Sequence, residues 1–507
     1  MGRDFRGETV PGLAPAMTRR TFLSAAGGAV ALGALSPLPL RGATPPAVTP
    51  SVAKALRALG RTTLRVPGSL PDPALAAGTD TLPGIEHIVV LMLENHSYDN
   101  LLGMLGRGPG QRPRGDGFTL GRDGLPTATN PYGDGDGRIQ HAFHMPTTCQ
   151  LPGTPSQEWT ASHNAYDNGR NDGFVNTPIA AGSTQSVGGV AMGYWTGDDL
   201  PFTYDLTSTF PIGDRWFCSL LGQTDPNRRY LIAATSAGMT GDIGTGPGNV
   251  IPDGGLPLPA NGTIFNTLDR YGIMWANYVD SFPAGATPEL YPTEDTVTEV
   301  AHNRTFQQFY TDAAAGTLPA FTLLDPNYST QSQENPQNIV VGERLLSEVV
   351  LAIGSSPAWL STLFVVVYDE HGGYYDHVPP PAALAPDLIP PMVQPGESLY
   401  DGFHRYGFRV PALVISPYAK RDHVSHVLYD HTSMLAMVER KWNLPALTYR
   451  DANANDLMDF IDVRAMQRRN PTFPQLPRLA APGDTAAALA CSSSGPGTIP
   501  PPGSISG

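Results

Sequence analysis

Two apolar runs in this chain each end in a pair of oxygen-bearing side chains. Ile88-Val89-Val90-Leu91-Met92-Leu93 leads into Glu94-Asn95-His96-Ser97-Tyr98-Asp99, and Leu363-Phe364-Val365-Val366-Val367-Tyr368 leads into Asp369-Glu370-His371-Gly372-Gly373-Tyr374-Tyr375-Asp376-His377. Carboxylate and amide oxygens are hard donors that suit Mg²⁺, Mn²⁺ or Ca²⁺ better than a thiolate-type zinc site does. Taken singly, either segment is also readable as a solvated acidic loop. A third segment adds a nucleophile. In Leu220-Leu221-Gly222-Gln223-Thr224-Asp225-Pro226-Asn227-Arg228, Pro226 marks a first helical turn. Thr224 or Asp225 would then cap that helix. Alternatively, Thr224 presents a hydroxyl where backbone amides and the helix dipole favour a phosphate or an alkoxide. A neighbouring cation would lower the pKa of that hydroxyl without a histidine base. Arg228 is readable as a phosphate contact or as a local ion pair, and His431 as a cap or packing residue.

These residues need a frame. Short apolar runs at Ile85–Leu93, Ile273–Val279, Phe321–Leu324, Leu363–Tyr368 and Val410–Ile415 read as buried strands. Helical patterns cover Pro226–Ala237, Asn338–Ile353 and Thr432–Trp442. Strands alternating with helices predict an α/β fold, a central and mostly parallel sheet flanked by helices. Sites in such sheets lie at the carboxyl ends of the strands, which is where the Glu-Asn and Asp-Glu pairs fall.

As an ordered set, Ile85-Glu86-His87-Ile88-Val89 through Glu94-Asn95-His96-Ser97-Tyr98-Asp99, Gln223-Thr224-Asp225-Pro226-Asn227-Arg228 and Tyr368-Asp369-Glu370-His371-Gly372-Gly373 through Val378-Pro379-Pro380 resemble the bacterial phospholipase C and acid phosphatase family. That family belongs to the alkaline-phosphatase-like superfamily. Arg409-Val410-Pro411-Ala412 and Asp430-His431-Thr432-Ser433 agree with it, and the likeness runs from about Gly84 to Asp462. The resemblance implies an alkaline-phosphatase-like fold and one divalent metal ion (Ca, Mg or Mn) held by Glu94, Asn95, Asp369, Glu370 and Thr224. It also implies that Thr224 is the nucleophile of a phosphothreonyl route. Gln157 and Asn335 stand where members often carry histidines that contact the phosphoryl group. Amides can donate to phosphate oxygens but cannot act as general acids near neutrality. His163 and His377 are the candidate replacements, and Arg228, Gln157 and Asn335 the candidate substrate contacts. A threonine nucleophile favours phospholipase C-type diester cleavage. An acid phosphomonoesterase and a catalytically weak cation- or phosphate-binding relative are the alternatives.

Composition bounds the rest. The 507 residues, 41% of them hydrophobic, can bury a substantial core. The net charge of −14 disfavours a nucleic-acid partner. Thr18-Arg19-Arg20-Thr21-Phe22-Leu23 ahead of a Gly/Ala/Leu stretch has the layout of a twin-arginine signal peptide, taken as residues 1–43, with Met17 a plausible true start. Export by that route would leave the protein secreted, periplasmic or associated with the cell wall. Residues 44–80 read as a Pro/Ala-rich lead-in, 81–480 as the catalytic domain and 481–507 as a disordered tail. No span for crossing a bilayer is expected in the mature chain, while the Pro/Leu-rich loop from Pro379 to Met392 offers transient contact with a membrane surface. Cys149, Cys218 and Cys491 fit no metal-ligand spacing. An exported chain permits one disulfide, with Cys149–Cys218 the candidate pair and free buried thiols the alternative.

Overall fold

The strands that carry the two oxygen-donor pairs lie side by side. The computed structural model describes residues 49–133, 137–149, 155–177, 188–243, 258–280, 290, 302–328, 330–334, 337–483 and 505–506. Its main sheet contains β1 (His87–Leu93), β2 (Ile212–Gly213), β3 (Trp275–Val279), β4 (Asn303–Thr305), β5 (Phe321–Asp325), β6 (Thr362–Tyr368), β7 (Ala412–Ile415) and β8 (Val424–Ser425). The order across the sheet is β8-β2-β7-β6-β1-β5-β3-β4.

β1 runs parallel to β6 on one side and to β5 on the other, with Leu93 opposite Tyr368 and Leu91 opposite Leu324. Their carboxyl ends therefore emerge together. β3 and β4 continue the parallel part, while β7 runs antiparallel to both β6 and β2. β6 is buried throughout and β1 from Ile88 onward, as expected of strands covered on both faces, so their sequences are continuous apolar runs rather than alternating ones.

Five helices bear on the site: α1 (Tyr98–Leu102), α2 (Trp159–Tyr166), α3 (Thr224–Ala233), α4 (Ile339–Gly354) and α5 (Thr432–Trp442). α5 has the bounds its sequence pattern predicts. α4 begins one residue late because Asn338 is its N-cap, its side chain accepting from Val340 N. α3 starts earlier than expected and stops at Ala233, since Ala234 turns into the left-handed region at φ 58°.

The described part of the lead-in packs on the rest of the chain. From Val48 onward the chain forms one compact unit. Arg61 donates to the carbonyls of Asn453 and Ala454, and Ala55, Leu56 and Leu59 pack on Leu384. The signal peptide of residues 1–43 lies outside the described residues, as does most of the tail. Cys218 is a free, buried thiol and Cys149 is disulfide-bonded, so the expected Cys149–Cys218 bridge does not form. Cys218 instead faces the Leu220 carbonyl at 3.4 Å.

Candidate active site

The last residues of three adjacent strands open into one acidic cluster. Glu94 and Asn95 leave β1, Asp369 and Glu370 leave β6, and Asp325 ends β5. Asn95 takes φ 63°, a left-handed conformation that asparagine tolerates better than most residues, and its N–H donates to Asp369 Oδ1 at 3.0 Å. The Glu370 N–H donates to the same oxygen at 2.7 Å, and Gly372 N–H to Glu370 Oε2 at 2.7 Å. Gly372 is required here. Its φ is 62°, and a Cβ on it would stand 1.9 Å from the Asn95 carbonyl oxygen.

Thr224 arrives from the opposite side as the first residue of α3. The N-cap is Gln223, whose side chain makes no capping bond, so neither Thr224 nor Asp225 caps the helix. The Thr224 hydroxyl lies 3.5 Å from Asn95 Oδ1 and close enough to the Asp369 carboxylate to draw its pKa down. Thr224 is only half-buried, whereas Glu94, Asp369 and Glu370 are buried. Thr224, Asn95, Asp369, Glu370 and Glu94 therefore converge.

The cluster is rich in negative charge. Burial, then the neighbouring Asp369 charge, pushes Glu94 and Glu370 well above the usual carboxylate range, with Arg228 opposing the shift at Glu94. Asp369 is also raised by burial. Arg228 is 3% exposed and donates to Glu94 Oε1 at 2.5 Å, with Asp325 and Asp369 each 3.5 Å away. Its guanidinium stacks over Tyr328. Of the two readings of Arg228, the ion pair is the one realised, because the guanidinium is packed against carboxylates rather than open to a phosphate.

The donor set fits a hard divalent cation. Three carboxylates, Glu94, Asp325 and Asp369, face one guanidinium, and Asp369 Oδ2 is buried without a hydrogen-bond partner. The Asn95 side-chain oxygen faces only acceptors, 3.2 Å from Glu94 Oε2 and against Glu370 Oε1, an arrangement satisfied by exchanging its amide atoms or by a cation. In this side-chain arrangement no three acidic, histidine or cysteine side chains among the described residues close on a metal by themselves. Asn95 and Thr224 would have to complete the set.

The histidines stand elsewhere. His163 on α2 is stacked on Tyr400, with ring centroids 4.0 Å apart, and its Nδ1 lies 2.7 Å from the Trp159 carbonyl. Burial lowers its pKa to about 4. It lines a cavity of about 900 Å³ with Tyr400, Asp401 and Arg405, and Thr224 is not among that cavity's lining residues. Burial acts against the charge of His377, but hydrogen bonds to Asp116 and Asp99 outweigh it and raise the pKa to about 10. His377 is thus held as a cation between carboxylates. Gln157 belongs to a segment that packs on the second loop, since a Cβ on Gly373 would meet Pro155 and Ser156. Asn335 lies outside the described residues. His431 Nε2 lies 2.6 Å from the Asp369 carbonyl.

Sequence reasoning passed over Asp325, one residue beyond the run Phe321–Leu324. The same inspection of strand ends would have found it. It also passed over Glu334, whose pKa burial and Asp369 raise to about 7.

Buried carboxylates at the carboxyl ends of a parallel sheet, facing a hydroxyl at a helix N-terminus, define a class of α/β hydrolase built for phosphoryl groups. The chain belongs to the phosphoesterase family, whose model matches residues 85–445. It is 31% identical to non-specific phospholipase C3 of Arabidopsis thaliana over 80% of this chain and 78% of that protein. It is 29% identical to phospholipase C B of Mycobacterium tuberculosis over 82% and 85% of the two chains. Non-hemolytic phospholipase C of Burkholderia pseudomallei matches at 29% over 79% of this chain and 61% of its own length. The chain is accordingly a hydrolase of the phosphoesterase type.

Proposed function

We propose that the chain is an exported, divalent-cation-dependent phosphoesterase that cleaves phospholipid-type phosphodiesters through Thr224. The observation that carries this reading is the position of Thr224 as first residue of α3, where its half-exposed hydroxyl lies against Asn95 and Asp369 instead of capping the helix. The phospholipase C names of its relatives favour a diester substrate.

Thr224 Oγ1 gives its proton to solvent and attacks phosphorus, the bond to the alcohol leaving group breaks, and the alkoxide takes a proton from solvent. Of the first turn of α3, the Thr224 N–H is the donor left to receive a phosphoryl oxygen, since the Asp225 N–H donates to Asp242 Oδ1 at 2.8 Å, Pro226 has none, and the Asn227 N–H bonds the Gln223 carbonyl. Water then attacks the phosphothreonine, releasing the phosphorylated head group and restoring the hydroxyl. A divalent cation held by Glu94, Asn95, Asp369, Glu370 and Thr224 would supply charge neutralisation and a lowered hydroxyl pKa. Arg228, on the buried side, keeps the carboxylates together by offsetting part of their mutual repulsion.

Purified protein is assayed on p-nitrophenylphosphorylcholine and p-nitrophenyl phosphate, with and without chelator. Chelator-sensitive turnover with the choline ester preferred is expected. Preference for the monoester would make it a phosphomonoesterase, and no turnover on either would leave a binding protein. Thr224→Ala is expected to abolish turnover and Thr224→Ser to retain part of it. An active Thr224→Ala protein would remove Thr224 as nucleophile.

A further inference from the structure

Behind the two strand-end loops lies a second charged cluster, centred on Arg409, a residue none of the steps above uses. Arg409 is fully buried. Its Nε donates to Asp376 Oδ1 at 2.9 Å and its Nη2 to Asp376 Oδ2 at 3.0 Å, a bidentate pair. The same Nη2 reaches Asp99 Oδ1 at 3.2 Å. Nη1 donates to the carbonyls of Asp116 and Asp214, and the guanidinium lies over the Tyr98 ring. Every donor group is thereby used within the protein.

Asp99 and Asp376 belong to the segments that follow different strands. Asp99 lies in the first turn of α1, which continues the loop from β1 that bears Glu94 and Asn95, and Asp376 follows Asp369 and Glu370 on the loop from β6. His377 adds a second cross-link, its N–H and Nδ1 meeting Asp99 Oδ2 at 2.7 and 2.6 Å while Nε2 faces Asp116 Oδ1 at 3.4 Å. Ser97 Oγ donates to the Tyr375 carbonyl at 2.7 Å, a third. Asp99 and Asp376, both fully buried, would repel one another without a cation between them.

We infer that Arg409 and His377 are positioning residues that clamp the loop bearing Glu94 and Asn95 to the loop bearing Asp369 and Glu370, and so set the spacing of the cation-binding oxygens. The inference rests on the reading of those oxygens as a cation site. It also gives His377 a task different from proton transfer, because both of its ring nitrogens are committed to carboxylates. Outer groups that orient ligands typically change metal affinity by about 10–100-fold when altered.

The test is calorimetric titration of the purified full chain with Mn²⁺, alongside turnover of a soluble phosphodiester and thermal unfolding. His377→Gln lies at the partly exposed rim of the cluster and is expected to fold. Arg409→Lys keeps the charge but loses the fork. Both are expected to bind Mn²⁺ about 10-fold or more weakly, with kcat reduced and KM for the soluble ester unchanged, and with Arg409→Lys the more severe. A double variant no worse than Arg409→Lys alone is expected, since one clamp is being broken twice. If either single variant unfolds like the parent and binds Mn²⁺ with parental affinity, the clamp is overturned while the cation site stands. If the parent protein itself binds no divalent cation, the cation reading fails, and the clamp falls with it.

Discussion

Gly372 bears most directly on the placement of the oxygens. Its backbone is in the left-handed region and its α-carbon lies against the Asn95 carbonyl, so a methyl group meets both a dihedral penalty and a steric one. Gly372→Ala is expected to cost about 2–4 kcal/mol in urea unfolding and to weaken cation binding, because relief of the clash must move Asn95. Parental stability would mean that the loop from β6 does not rest on Asn95. His163 poses the opposite case. Its ring is stacked on Tyr400 and bonded to a backbone carbonyl, in a cavity that Thr224 does not line. His163→Phe keeps the stack and loses one hydrogen bond, so about 1 kcal/mol of stability should go while kcat on a soluble ester holds. A large fall in kcat with the fold intact would return His163 to the chemistry.

At the scale of elements, β1 and β6 were legible in the sequence because strands buried on both faces leave continuous apolar runs, and their ends pointed to Glu94, Asn95, Asp369 and Glu370. The antiparallel course of β7 was not, since burial of Ala412–Ile415 is the same in either direction. Nor was the partner set of His377, as Asp99, Asp116 and Arg409 are brought to it only by the fold. The capping pattern misled for a physical reason: Thr224 is a good cap by type, but Gln223 takes the cap position and the hydroxyl turns to Asn95 and Asp369 instead. The His377 cross-link carries its own pH signature. Asp116 and Asp99 raise its pKa from an ordinary 6.5 to about 10, against burial and the nearby Arg409 charge. A group with a raised folded-state pKa stabilises fully below its unfolded value and loses that contribution as pH rises through the folded one. Stability measured by urea should therefore decline between about pH 6.5 and 10 more steeply for the parent than for His377→Gln. Parallel pH profiles would show that the imidazole is not held as a cation.

At the scale of the whole molecule, the proposed phospholipid substrate would lie in a bilayer, and no described helix is long and apolar enough to cross a membrane. On that reading the loop from Pro379 to Met392 is the surface proposed to meet the bilayer. Leu388 is 91% exposed, although the chain on both sides of it is tied down. Asp387 accepts from Thr235 Oγ1 at 2.6 Å and from Ile389 N at 2.8 Å, and Met392 N donates to the Gly238 carbonyl at 2.8 Å. A fixed loop that holds one leucine in water gains by placing it in lipid, and full burial of such a side chain is worth about 1.5–3 kcal/mol. Leu388→Ser should therefore lower turnover on phosphatidylcholine vesicles by roughly tenfold at limiting lipid, since 1.4 kcal/mol corresponds to a factor of ten in association. Turnover of a soluble phosphodiester should be unchanged, because Leu388 projects into water and lies outside the strand-end cluster of Glu94, Asn95, Asp369 and Glu370. Equal loss on both substrates would place Leu388 in the fold, and no loss on vesicles would move the membrane contact to another surface of the protein.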